Sequence, residues 1–90
     1  MSSPRYRIEL TRAAARQLAA LPKEVLKRVD EAILALALDP FPQGSKKLRN
    51  GEGRRRIRVG QYRVIYSIEN DRLVILVIRV GHRREVYRGL

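Results

Sequence analysis

Ninety residues carry twenty lysines and arginines against nine aspartates and glutamates, a formal charge of +11 and a pI near 11.3. A chain of this size holds one small core, so residues 1–90 are expected to form a single domain. The absence of cysteine excludes disulfides and thiolate metal sites, and one histidine among scattered carboxylates offers no metal-ligand cluster, so neither metal nor cofactor is expected.

In chain order, Arg5–Leu10 alternates, with Tyr6, Ile8 and Leu10 against Arg7 and Glu9, and reads as a first strand. Thr11 is placed to cap an alanine-rich helix over Arg12–Leu21. Pro22 interrupts it and opens a second helix, Pro22–Leu38, in which Val25, Val29, Ala32, Ile33 and Leu36 recur at helical spacing. Asp39-Pro40-Phe41-Pro42-Gln43-Gly44 breaks the chain. Lys46–Arg49 reads as a short edge strand and Asn50-Gly51-Glu52-Gly53 as a turn. Three strands follow at Arg54–Val59, Tyr62–Glu69 and Arg72–Val80, the last two joined at Asn70-Asp71. Leu73–Ile78 is apolar without alternation, so its strand is expected to be interior and covered on both faces. The fold expected is α+β: a small antiparallel sheet of the N-terminal strand and a C-terminal meander, with the helical hairpin packed on one face and the other face open for a ligand.

The hairpin 54–67 is the most informative segment. Gly60-Gln61 suits a two-residue type II′ turn, which sets Val59 opposite Tyr62, Arg58 opposite Arg63, Ile57 opposite Val64 and Arg56 opposite Ile65. Side chains alternate faces, so Arg56, Arg58 and Arg63 share one face with Ile65 and Ser67. Ile57, Val59, Tyr62, Val64 and Tyr66 share the other, where the tyrosines read as core. Arg55 falls on that core side and is expected at the strand's exposed beginning. Like charges directly opposite destabilise a strand pair. Setting Arg58 against Arg63 therefore points to a bound anion, the alternative being a solvated face with the arginines splayed apart.

The charge is uneven: residues 1–45 carry seven basic and five acidic groups, net +2, and residues 46–90 carry thirteen and four, net +9. Such a field steers a polyanion to the C-terminal half. Membrane binding is the weaker reading, because the longest apolar runs, Ala32–Leu38 and Leu73–Ile78, are far short of a span and the N-terminus has no signal-peptide core. A cytoplasmic protein is expected.

The ordered set Tyr6–Ala14, Lys47-Leu48-Arg49, Arg56–Tyr66 and Val80–Tyr87 resembles the RelE/ParE toxin superfamily, in particular its RelE-like ribosome-dependent mRNA endonucleases. The resemblance spans nearly the whole chain. It implies the toxin of a type II toxin–antitoxin system that cleaves mRNA in the ribosomal A site without a metal, and a cognate, RelB-like antitoxin as partner. In that chemistry the ribose 2′-OH attacks the adjacent phosphate, leaving a 2′,3′-cyclic phosphate and a 5′-OH.

Residue by residue, the resemblance matches Arg56 and Arg58 to the two basic positions of the third-strand motif and Arg63 to the phosphate-contacting arginine after the turn. It matches Arg83 to the C-terminal general acid or charge stabiliser, and Tyr87 to the aromatic that stacks on the scissile nucleotide. Lys46, Lys47, Arg49 and Arg54 are expected to be general RNA or ribosome contacts. Arg58 stands where the best-studied members have lysine as general base, and a guanidinium stays protonated. The proton acceptor is then Tyr87, His82 or water. The chain also ends at Leu90 without the terminal helix of some relatives. Two rival readings remain: a ParE-like toxin that binds DNA gyrase, and a non-catalytic basic RNA- or ribosome-binding protein.

Overall fold

The computed structural model describes residues 5–49, 53–82 and Val86. The elements run β1 (Arg7–Leu10), α1 (Arg12–Ala19), α2 (Lys23–Leu36), β2 (Lys46–Lys47), β3 (Arg54–Val59), β4 (Tyr62–Glu69) and β5 (Val74–His82). The strands form a five-stranded sheet in the order β1-β5-β4-β3-β2. The α+β architecture is the expected one, but the sheet is mixed: β1 lies parallel to β5, with Ile8 beside Ile75 and Leu10 beside Val77. β1 precedes a helical connection long enough to carry the chain from one sheet edge to the other, and it enters the sheet running the same way as β5.

Helix α1 begins where the sequence placed it. The Thr11 hydroxyl accepts from the Ala14 N–H at 3.0 Å, and Pro22, preset at φ −56°, stands at the N-cap of α2. Both helices cover one face of the sheet. Ala14, Leu18, Val29, Ile33 and Leu36 pack there against Ile57, Val64, Tyr66, Ile75, Val77 and Val80. The opposite face is not bare: Ile65 and Val74 are wholly buried on it, and Val86 is 1 % exposed.

The hairpin register is the expected one at the four pairs from Arg56↔Ile65 to Val59↔Tyr62, and it continues to Arg54↔Ser67. Gly60 has φ +60° while Gln61 keeps a negative φ, the signature of a type II′ turn. Two differences concern β5. Its connection to β4 is longer than Asn70-Asp71, and Leu73 turns out of the strand at φ +53° with its side chain 46 % exposed. The pairing with β4 also slips between Ile65↔Arg79 and Tyr66↔Val77, leaving Ile78 as an extra residue in β5.

Candidate nucleic-acid interface

Because β3 and β4 alternate in register, Arg58 and Arg63 leave neighbouring strands on the face away from the helices. Theirs is the second pair from the two-residue turn, the closely spaced kind, with Cα atoms about 4.5 Å apart. Like charges placed directly opposite in this way destabilise the strand pair. Neighbouring positions add to the charge. Lys46 faces Arg56, and Arg56 faces Ile65, so Lys46 and Arg56 stand one row behind the Arg58–Arg63 pair. Gln43, Gly44, Lys46, Arg56 and Arg58 line a cleft of about 390 Å³ there. Arg54, opposite Ser67, continues the same face.

Among the described residues, the acids paired on this face lie at its other end. Glu9 pairs with Arg7 and Arg72 at 3.3 Å each, and Arg72 also reaches Glu69 at 2.8 Å. These exposed pairs contribute little stability, but they cancel the charge locally. Among the described residues, no carboxylate forms an ion pair with Arg56, Arg58 or Arg63. The face is thus polarised, neutral beside β1 and strongly cationic beside the hairpin turn.

Other expected site residues fall elsewhere. Lys47 pairs with Arg55 and so points to the helix side, lining a pocket with Phe41, Gly53, Arg55, Ile68 and Asn70. Arg49 is exposed just beyond β2, outside any strand. His82, one of the expected proton acceptors, faces Tyr62 across β4 and β5. Their rings meet edge to face at 5.4 Å, which fixes the imidazole on the side away from the arginines. Arg83 and Tyr87 lie outside the described residues. Between them in sequence, Val86 sits over Gly81, its Cα and Cβ 3.6 Å from where a Gly81 Cβ would stand. Gly81 neighbours Arg63 on β4, so Val86 lies on the arginine face.

Arg55 is on the core side but not in the core. It is half-buried, with its guanidinium 4.9 Å over the Phe41 ring and donating to Ser45 Oγ at 2.8 Å. It clasps the 39–45 loop to the sheet, and Tyr66 Oη donates to the Pro40 carbonyl at 2.7 Å from beneath. Burial pushes the Tyr66 phenol above its ordinary value of 10.0, with hydrogen bonding to Arg55 and Ser45 and the Arg55 charge opposing.

Arg79 is the residue that the sequence reading passed over. It faces Ile65 and so belongs to the arginine face, as a half-buried side chain. Strict alternation from Ile75 and Val77 would place Arg79 in the core; the extra residue at Ile78 reverses the phase. A trace of this is visible in the sequence, where the apolar rhythm of Ile75 and Val77 resumes at Val80 rather than at position 79.

Residues 8–87 match the family model described as ParE toxin of type II toxin–antitoxin system. Toxin RelG of Mycobacterium tuberculosis is 33% identical over 84 residues, covering 92% of this chain and 97% of the relative. Toxin RelE of the same organism is 32% identical, with 92% and 87% covered. Among solved structures, the M. tuberculosis RelBE2 toxin–antitoxin complex contains a similar chain at 32% identity and TM-score 0.76, with 87% of this chain and 98% of that one covered. The archaeal RelE–RelB complex from Pyrococcus horikoshii gives 29% identity and TM-score 0.77, with 89% and 97% covered.

Proposed function

This chain belongs to the RelE/ParE superfamily, as a RelE-like toxin of a type II toxin–antitoxin system, and on that premise we propose that it is an endoribonuclease acting on mRNA in the ribosomal A site. The observation that carries the reading is the Arg58–Arg63 pair, backed by Arg56 and Lys46 on one face without a carboxylate ion pair to any of the three arginines among the described residues.

The proposed reaction is in-line transfer. The ribose 2′-OH attacks the adjacent phosphorus, the bond to the 5′-oxygen breaks, and the products are a 2′,3′-cyclic phosphate and a 5′-OH. Charge builds on the non-bridging oxygens, where the Arg56, Arg58 and Arg63 forks offer bidentate donors that stay charged. These guanidiniums supply the charge that a divalent metal would otherwise bring, so the reaction is proposed to be metal-independent. Arg83 is assigned to stabilising charge on the departing 5′-oxygen, which takes up a proton from water as it leaves, and Tyr87 to the scissile nucleotide. The 2′-OH proton passes to water or to Tyr87; the placement of His82 argues against that residue. Such an enzyme has no strong base of its own and relies on the ribosome to orient its substrate. Lys46 and Arg54 extend the binding face, and Lys47 and Arg49 stand near its edge as ribosome contacts.

The toxin's partner is a cognate antitoxin; we propose that it is RelB-like and lays acidic and apolar side chains on the cationic half. Translating ribosomes place the activity in the cytoplasm. The test is to map the 5′ ends of a translated mRNA in a reconstituted translation system, with and without EDTA-treated protein. Cuts inside A-site codons that vanish in the Arg56, Arg58, Arg63 and Arg83 quadruple alanine variant support the reading. Intact mRNA with arrested DNA gyrase would establish the ParE-type reading instead.

A further inference from the structure

We propose that Arg79 is a further RNA contact of the arginine face, binding the phosphate next to the scissile one. The inference rests on the endonuclease reading and extends its binding site by one residue.

The argument begins at the β5 bulge. β1 pairs with β5 only from Val74 to Val77, so beyond Val77 that edge of β5 has no neighbouring strand. Helix α1 and its cap cover the gap. The Thr11 hydroxyl donates to the Ile78 carbonyl at 2.6 Å, and Gln17 Oε1 accepts from the Val80 N–H at 2.8 Å. The Thr11 N–H also donates to the Val77 carbonyl at 3.0 Å. Three bonds therefore fix the backbone on both sides of Arg79, where an edge would otherwise be free to relax. A bulge of this kind re-aims a side chain. Here it turns position 79 out of the core and onto the cationic face while returning Val80 to the core.

The row that results is Lys46–Arg56–Ile65–Arg79, running across β2, β3, β4 and β5. Ile65, wholly buried, stands between Arg56 and Arg79 in that row. At strand spacings of about 4.8 Å, their backbones are two strands, or about 10 Å, apart. Arg79 also stands two residues, or about 7 Å, along β5 from Gly81, the neighbour of Arg63, a displacement suited to the next phosphate. A guanidinium has five N–H donors, so Arg79 can retain an intramolecular contact and still present donors to an anion.

A neighbouring phosphate bears no developing charge, so Arg79 governs binding and register rather than the chemical step. The experiment measures single-turnover cleavage of A-site mRNA against toxin concentration, and toxin binding to the same programmed ribosomes across a salt series. Arg79→Ala is expected to raise the half-saturating concentration about 10-fold. Its saturating rate stays within about threefold of the parent, and its log–log salt slope of affinity falls by about 0.7. Arg79→Lys keeps the slope, which separates lost charge from lost folding. Gln17→Ala loosens the bulge and shifts half-saturation in the same direction, but adds nothing in the Arg79→Ala background. An unchanged half-saturation and slope in Arg79→Ala would overturn the proposal, as would a fall in saturating rate as deep as that of Arg58→Ala. If the parent protein leaves translated mRNA intact, the endonuclease reading fails on its own, and the salt slope of ribosome binding still decides for or against Arg79.

Discussion

At the scale of single residues, two side chains show how the same strand pair serves the core on one face and presents charge on the other. Tyr66 is buried beneath the 39–45 loop with its hydroxyl on the Pro40 carbonyl. Tyr66→Phe is expected to cost about 1 kcal/mol in chemical denaturation, the net worth of that bond. The phenol is raised by burial, so its contribution is complete below pH 10 and is lost as pH rises through the higher folded value. The stability of the parent should therefore fall in alkali more steeply than that of Tyr66→Phe, which urea titrations at pH 8 and pH 11 would compare. On the other face, Arg58→Ala should lower saturating cleavage about 10²–10³-fold with ribosome affinity little changed, if Arg58 bears transition-state charge. Arg58→Lys distinguishes the fork from the charge: retained cleavage would mean that an amine suffices and can act as base, and a loss as deep as alanine's would mean that the planar fork is required.

Among the elements, the turn and the bulge decide where the arginines point. Gly60 holds φ +60°, where a side chain costs roughly 1–2 kcal/mol. Gly60→Ala should lower stability by about that amount and loosen the Arg58–Arg63 register, seen as lost cross-strand NOEs between residues 58 and 63. Space is not the obstacle there, since an added Cβ would meet only the Arg28 guanidinium at 3.5 Å. Thr11 has two duties, capping α1 and holding the Ile78 carbonyl. Thr11→Ala should accordingly exceed the usual cap loss of about 1 kcal/mol, while Thr11→Ser should recover most of it. A thermal melt of the three proteins would order them.

For the whole molecule, the arrangement of charge matters more than its sum. The pairs of Glu9 and Glu69 with arginines neutralise the β1 end of the open face, which leaves the turn end as the cationic pole. An antitoxin that covers this pole is expected to associate more slowly as salt rises, because steering is screened beyond about 8–10 Å at physiological ionic strength. Stopped-flow association between 50 mM and 500 mM salt would show it, and a rate insensitive to salt would remove the electrostatic part of the partner proposal. A small sheet can carry its core on one face and a cationic surface on the other. Each needs a different side of the same strands, and strand alternation separates them.

The sequence by itself determined the element order, the Thr11 cap, the II′ turn and the pairing of Arg58 with Arg63. These are local: alternation, capping and turn chemistry act within a few residues and leave a pattern in the letters. It also carried the family, because the order and spacing of the segments are linear properties. What only the tertiary structure decided depends on distant neighbours. β1 runs parallel to β5 at one edge, and the helices that follow it carry the chain to the other edge. Ile65 is buried on the face that strand alternation gave it beside the arginines. His82 is turned away from the arginines by its ring contact with Tyr62. Arg79 joins the cationic face because one extra residue, held by Thr11 and Gln17 from across the fold, reverses the phase of β5. A period of two predicts a face only while the pairing is unbroken, and whether it breaks is settled by bonds to residues more than sixty positions away.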